Sequence, residues 1–60
     1  NNSHVLITGA ASGLGWGCAQ RLAAQVRKIT LCDIDTDGGH RALAQLRQAH
    51  PQLSADFVTV

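Results

Sequence analysis

The stretch TGAASGLGWG, Thr8 to Gly17, decides the fold. It follows the run HVLIT at residues 4–8, which is short and almost wholly apolar, as is typical of a strand covered on both faces. After it, apolar side chains recur with the spacing of one helix face, at Ala19, Leu22, Ala23 and Val26. A glycine-rich turn that opens a helix presents unpaired backbone N–H groups and a positive dipole end, so the stretch predicts an anion site.

The alternation of apolar runs and helical spacing continues along the chain. KITLCD at residues 28–33 and DFVTV at residues 56–60 predict two further strands. Between them the helical spacing returns, at Ala42, Leu43, Leu46 and Ala49. We expect strands near residues 4–8, 28–33 and 56–60, and helices near 13–25 and 37–49. Thr36 or Asp37 is expected to cap the second helix, and Pro51 to follow its end.

The order β-α-β-α-β predicts an α/β fold. Right-handed crossovers make the three strands a parallel sheet with the strand order 3-2-1. Both helices then lie on one side of the sheet, which leaves the other face of these apolar strands without cover. We therefore interpret residues 1–60 as the N-terminal segment of a larger doubly wound domain. Association with another chain and partial disorder of the isolated chain are the alternatives.

Composition and charge argue against several classes of partner. Five basic and four acidic residues give a formal net charge of +1 without a basic cluster, so neither nucleic acid nor an anionic membrane is predicted to bind. No apolar run approaches the roughly 20 residues that span a bilayer, and the first residues lack the features of a signal peptide. Cys18 and Cys32 form no CxxC pair and are interpreted as small buried thiols, which fits a reducing, cytoplasmic setting. The histidines show no metal-ligand spacing.

The glycine spacing distinguishes between known nucleotide loops. The pattern GxGxxG fails, because Gly13 and Gly15 are followed by Cys18 where the third glycine belongs, and GxxxxGK[ST] finds no lysine. The pattern TGxxxGxG fits, with Thr8 directly before Gly9. Placed after a strand and at the start of a helix, the stretch resembles the nucleotide loop of the short-chain dehydrogenase/reductase family. Glycines that only turn the chain are the alternative.

The resemblance implies a Rossmann-type fold that binds a dinucleotide, with a defined set of contact residues. By that likeness the pyrophosphate is cradled by Gly9, Ser12, Gly13, Leu14 and Gly15. Asp33 would bind the adenosine ribose, and Ile34 would flank the adenine. Thr8 would be mainly structural.

The family transfers hydride between a nicotinamide and an alcohol or carbonyl compound, with a catalytic set that includes a serine and Tyr-x-x-x-Lys. This chain contains no tyrosine, and its only lysine, Lys28, begins a predicted strand. We therefore assign neither a catalytic residue nor a metal ligand. The resemblance implies an NAD-dependent enzyme, commonly a homo-oligomer, of which these residues supply the adenosine half of the cofactor site. A nucleotide-binding module without chemistry and an inactive fragment are the alternatives.

The segment DIDTDGG, Asp33 to Gly39, bears on the choice of ligand. Asp33, Asp35 and Asp37 match the first half of an EF-hand calcium loop, but position twelve is Ala44 and the preceding run is a strand pattern. Calcium is therefore a remote alternative. In a dinucleotide site, an acidic residue at the end of the second strand accepts hydrogen bonds from the ribose. Asp33 is the predicted ribose ligand, and Asp35 is its main rival.

The acidic strand end also favours NAD over NADP. A carboxylate at this position repels the 2′-phosphate of NADP, because both groups are negatively charged. No basic residue lies at positions 10–12 or 34–37 to attract that phosphate. We therefore expect NAD as the cofactor, with NADP less favoured.

Overall fold

The computed structural model describes residues 4–60, which form three strands and two helices in alternation. Their bounds are β1 His4–Thr8, α1 Gly13–Leu22, β2 Lys28–Asp33, α2 Thr36–Ala49 and β3 Ser54–Thr59. The predicted order of elements is confirmed. Residues 1–3 of the predicted segment lie outside the described residues.

The three strands form one parallel sheet with β2 in the centre. Ile29 of β2 lies between Val5 of β1 and Ala55 of β3, which fixes the register. The order β1-β2-β3 is the predicted order 3-2-1 counted from the opposite edge, so the predicted α/β fold is confirmed. Because the strands are parallel, the carboxyl ends of β1 and β2 lie side by side, so the segments that follow Thr8 and Asp33 begin next to each other.

The hydrophobic core lies between the two helices and one face of the sheet. Its largest fully buried side chains are Ile29, Leu31 and Leu46. The other members are mostly small: Ile7, Ala10, Ala19, Ala23, Ala42, Leu43 and Ala55. Burial of one large aliphatic side chain contributes roughly 1.5–3 kcal/mol, so the three large residues hold α2 on the sheet while the alanines permit close approach.

The opposite face of the sheet carries exposed apolar side chains together with charged ones. Leu6 is 63% exposed and Val58 is 49% exposed. At the amino end of the same face, Lys28 Nζ lies 3.6 Å from Asp56 Oδ2, with both side chains about half exposed. An exposed pair of this kind contributes little stability, typically below about 1 kcal/mol.

Three predicted details are wrong. The first helix ends at Leu22 rather than near residue 25, because the chain closes a turn in which Gln25 N donates to Leu22 O at 2.8 Å. The third strand begins at Ser54, because pairing with β2 already starts there. Cys18 is exposed rather than buried. It precedes the buried Ala19 by one helical position, which turns its side chain about 100° away from the core.

The cap of α2 also differs from the prediction. Asp35 caps the helix, rather than Thr36 or Asp37, and its Oδ1 accepts a hydrogen bond from Gly38 N at 3.0 Å. Asp35 has the extended backbone that an N-cap requires, with φ −84° and ψ 95°. The helix therefore begins directly behind the end of β2, which leaves only Ile34 and Asp35 between the two elements.

Candidate functional site

Residues 9–12, which we call the glycine loop, connect β1 to α1. Gly9 has a φ of +66°, which a side chain would disfavour. The loop closes on the carbonyl oxygen of Gly9, which accepts hydrogen bonds from Ser12 N at 3.0 Å and from Ser12 Oγ at 2.6 Å. The predicted turn between the first strand and the first helix therefore depends on the positive φ of Gly9.

Gly15 permits a close contact between α1 and the end of β1. A Cβ added to Gly15 would collide with the carbonyl oxygen of Gly9 and would lie 3.0 Å from the carbonyl oxygen of Thr8. The first turn of α1 therefore stands directly against the backbone that leaves β1. Only glycine fits at residue 15, because an added Cβ would meet main-chain atoms, which cannot turn aside as a side chain could.

Gly13 has a different environment from Gly15. A Cβ added to Gly13 would have no protein atom within 4 Å. The neighbouring Leu14 is 88% exposed. The space outside the first turn of α1 is therefore open at these two residues, as it must be for a ligand to reach the backbone.

The N-terminus of α1 is suited to an anion. The side chain of Ser12, its N-cap residue, makes no capping hydrogen bond, and the first turn holds no acidic residue. The first hydrogen bond within the helix runs from Trp16 N to Ser12 O at 2.9 Å. The earlier N–H groups of the turn lie at the positive end of the helix dipole and point away from the helix, which is the arrangement that binds phosphate groups.

Asp33 lies beside the glycine loop, as its position at the end of β2 predicts. Its Oδ2 accepts a hydrogen bond from Ala11 N at 2.8 Å, and its Oδ1 accepts one from Asp35 N at 2.9 Å. These backbone N–H groups, that of Asp35 first and that of Ala11 second, hold the pKa of Asp33 below its ordinary value of 3.8. The carboxylate is therefore charged at neutral pH and remains partly exposed.

The site brings together all of the predicted contact residues. Gly9, Ser12, Gly13, Leu14 and Gly15 follow one another through the glycine loop and the first turn of α1. Asp33 contacts the glycine loop, and Ile34 follows it with 80% of its surface exposed. A surface depression of about 800 Å³ lies elsewhere and shares none of these residues; Ala23, Lys28 and Leu53 are among those that line it.

The arrangement does not suit a calcium loop. Residues 36–49 are helical, whereas an EF-hand would need them to wrap around the ion up to Ala44. Asp35 is occupied in capping α2. Among residues 4–60 no three His, Cys, Asp or Glu side chains come together as metal ligands.

Two residues of the site, Ala11 and Gly38, were not predicted from the sequence. Ala11 contributes its N–H group to Asp33, which only the folded loop reveals. Gly38 lies against Ala11: a Cβ on Gly38 would come 3.1 Å from the Ala11 Cβ and would collide with the Asp35 carboxylate. The pair Gly38–Gly39 in the first turn of a helix was a usable signal, because glycine there costs roughly 0.5–1 kcal/mol relative to alanine.

Four features of this site define a dinucleotide-binding protein of the Rossmann type. They are the parallel sheet, the glycine turn at the end of β1, the open N-terminus of α1 and the acid at the end of β2. The family model described as short chain dehydrogenase matches residues 3–60. The chain therefore belongs to the short-chain dehydrogenase family. Over 49 residues it is 47% identical to an uncharacterised oxidoreductase of Mycobacterium tuberculosis, and the match covers 82% of this chain and 19% of that protein.

Two solved structures with bound cofactors share this fold. A short-chain dehydrogenase/reductase from Burkholderia phymatum in complex with NAD has a TM-score of 0.88 and 30% identity, covering 100% of this chain and 21% of that one. A short-chain dehydrogenase from Sphingobium yanoikuyae in complex with NADPH has a TM-score of 0.85 and 30% identity, covering 95% and 22%. The chain thus spans about a fifth of the length of these relatives. The first of these neighbours holds NAD and the second holds NADPH.

Neither helix within residues 4–60 has the length and apolar character that crossing a bilayer requires.

Proposed function

We propose that these residues bind the adenosine and pyrophosphate parts of NAD, as the cofactor-binding segment of an oxidoreductase. The observation that carries the proposal is the position of the Asp33 carboxylate, which is hydrogen-bonded to the glycine loop beside the open N-terminus of α1. A dinucleotide needs an acceptor for its ribose hydroxyls beside donors for its phosphate oxygens, and a charged carboxylate next to free helical N–H groups provides both.

The proposed contacts divide the cofactor into three parts. Backbone N–H groups would hold the pyrophosphate, from the segment that contains Gly9, Ser12, Gly13, Leu14 and Gly15. The free lone pairs of Asp33 would accept the adenosine ribose hydroxyls. Ile34, which is 80% exposed, would cover one face of the adenine.

The preference for NAD over NADP is part of the proposal. Asp33 is charged at neutral pH, and its pKa is lowered further by the N–H groups that it binds. A 2′-phosphate on the ribose would meet this carboxylate and the exposed Asp35 and Asp37 of the same segment. Positions 10–12 and 34–37 offer no basic side chain in compensation.

The chemistry of the complete protein follows from its family. We infer that it transfers hydride between the nicotinamide and a small alcohol or carbonyl substrate, in the cytoplasm and as a homo-oligomer. The nicotinamide supplies the hydride chemistry when bound. Lys28 belongs to no Tyr-x-x-x-Lys set. It lies at the amino end of β2, whereas the glycine loop lies at the carboxyl ends of the strands.

The experiment is a calorimetric titration of the full-length protein with NAD and with NADP, followed by an assay for reduced nicotinamide with simple alcohols. Tighter binding of NAD and formation of reduced cofactor are expected. Binding without any reduction of the cofactor would favour a nucleotide-binding module. Absence of binding would contradict the proposed site.

A further inference from the structure

We propose that Asp33 is a positioning residue for the glycine loop, in addition to its contact with the ribose. This proposal rests on the proposed function. It assigns to one carboxylate the shape of the phosphate site as well as recognition of the sugar. The residue through which it acts is Ala11, whose N–H group lies 2.8 Å from Asp33 Oδ2.

The glycine loop is attached to the end of β2 at two successive residues. Ala10 N donates to the carbonyl oxygen of Cys32 at 3.1 Å, and Ala11 N donates to the side chain of Asp33 at 2.8 Å. The first bond continues the main-chain pairing of the sheet, whereas the second exists only because residue 33 has a side-chain acceptor of this length. The conformation of the loop at Ala11 therefore depends on the identity of residue 33.

Ala11 is also enclosed on its other side. The first turn of α2 stands against it, so that a Cβ on Gly38 would lie only 3.1 Å from the Ala11 Cβ. Asp35 connects the two contacts, since its N–H group donates to Asp33 Oδ1 and its Oδ1 accepts from Gly38 N. The end of β2 and the start of α2 thus hold Ala11 together.

The position of Ala11 determines where the phosphate-binding N–H groups lie. Ala11 directly precedes Ser12, the N-cap residue of α1. A loop that already has its bound shape loses less conformational freedom when the cofactor arrives, which strengthens binding. We therefore expect the bond from Ala11 to Asp33 to contribute to the affinity for the pyrophosphate, although Asp33 does not touch that group.

The two roles of Asp33 are compatible in one complex. Each carboxylate oxygen has two acceptor positions, and the structure uses one on Oδ1 and one on Oδ2. One position on each oxygen remains for a ribose hydroxyl. Alanine at residue 33 would remove both acceptor oxygens, so the bonds from Ala11 N and from Asp35 N would both be lost.

The test uses two ligands to distinguish an effect on the glycine loop from the loss of a contact with the ribose. ADP and 2′,3′-dideoxy-ADP carry the same pyrophosphate, but the second lacks both hydroxyls that Asp33 would bind. Their affinities are measured by calorimetry on the full-length protein and on its Asp33→Ala variant. The matched control is Asp37→Ala, which removes the same charge from an exposed position in the first turn of α2.

If Asp33 positions the loop, Asp33→Ala weakens 2′,3′-dideoxy-ADP by about tenfold relative to Asp37→Ala, and weakens ADP by more. If Asp33 only contacts the ribose, the variant weakens ADP and leaves the dideoxy ligand unchanged, which would overturn this proposal and leave the proposed function intact. Absence of ADP binding to the unsubstituted protein would overturn both.

A second measurement needs no variant. In the unsubstituted protein, the amide proton resonances of Ala11 and Asp35 are followed by NMR as the pH is lowered. Both are expected to shift with one midpoint, that of the Asp33 carboxyl group. A shift at Asp35 without one at Ala11 would show that the carboxylate does not hold the loop.

Discussion

The carbonyl oxygen of Gly9 occupies the space in which a side chain of Gly15 would begin. The same oxygen accepts both hydrogen bonds that close the glycine loop, from the backbone and the side chain of Ser12. The loop and the first turn of α1 are therefore coupled through one atom. A change at Gly15 must disturb the loop, even though Gly15 lies beyond the loop, in the helix.

Replacement of Gly15 by alanine is expected to lower the free energy of unfolding by about 3 kcal/mol, at the upper end of the usual cost of overpacking, because the new Cβ meets main-chain atoms. Gly17→Ala is the matched control. It lies in the same helix, a Cβ there meets no atom within 4 Å, and it should stabilise the protein by roughly 0.5–1 kcal/mol. Denaturant unfolding of both variants measures the difference, and equal stabilities would contradict the described contact.

Gly13→Val is expected to separate folding from binding. A Cβ at residue 13 has no protein atom within 4 Å, so the free energy of unfolding should change by less than about 1 kcal/mol. A branched side chain there would nevertheless enter the space proposed for the pyrophosphate, so NAD binding measured by calorimetry should be lost. A folded Gly13→Val variant with unchanged NAD affinity would show that the glycines only turn the chain.

Asp35→Ala is expected to destabilise the protein by about 1 kcal/mol, because it removes the cap on Gly38 N. Asp37→Ala serves as the control, since residue 37 lies inside the first turn and stabilises the helix only through the interaction of its charge with the helix dipole. This substitution should lower the free energy of unfolding by no more than about 0.5 kcal/mol. Thermal unfolding of the two variants distinguishes these costs. A larger loss for Asp37→Ala would mean that the cap lies where the sequence predicted it.

Lowering the pH is expected to reduce the stability of the folded protein, because Asp33 becomes protonated. Its pKa is lowered in the folded state, so its bonds to Asp35 N and Ala11 N contribute fully above its ordinary value of 3.8 and are lost as the pH falls through the lower, folded pKa. The stability difference between the unsubstituted protein and Asp33→Asn is therefore expected to shrink as the pH is lowered from about 5 to below 3. A difference that stays constant over this range would contradict the lowered pKa.

Sequence patterns predicted the sheet order and the position of Asp33 beside the glycine loop, because both depend on periodicity and spacing. Apolar runs separated by helical spacing leave one parallel arrangement, and the glycines and Asp33 meet because strands and helices have fixed lengths per residue. The cap of α2 was missed because Asp35, Thr36 and Asp37 are all residues that can cap, and only the folded chain decides which N–H group comes within reach. Ala11 was missed because it contributes its backbone N–H group, which every residue except proline has, so its identity gives no signal.

The central claim is that Asp33 recognises the ribose of NAD. The most direct test is calorimetric titration of NAD and NADP into the full-length protein and its Asp33→Ser variant, with Asp37→Ser as the control. Because a charge-assisted hydrogen bond contributes roughly 1.5–3 kcal/mol, Asp33→Ser should weaken NAD by about tenfold or more and raise the relative preference for NADP. Asp37→Ser should change the ratio of the two affinities little. If Asp33→Ser leaves that ratio unchanged while Asp35→Ser reverses it, the ribose ligand is Asp35; if neither substitution changes it, the claim is contradicted.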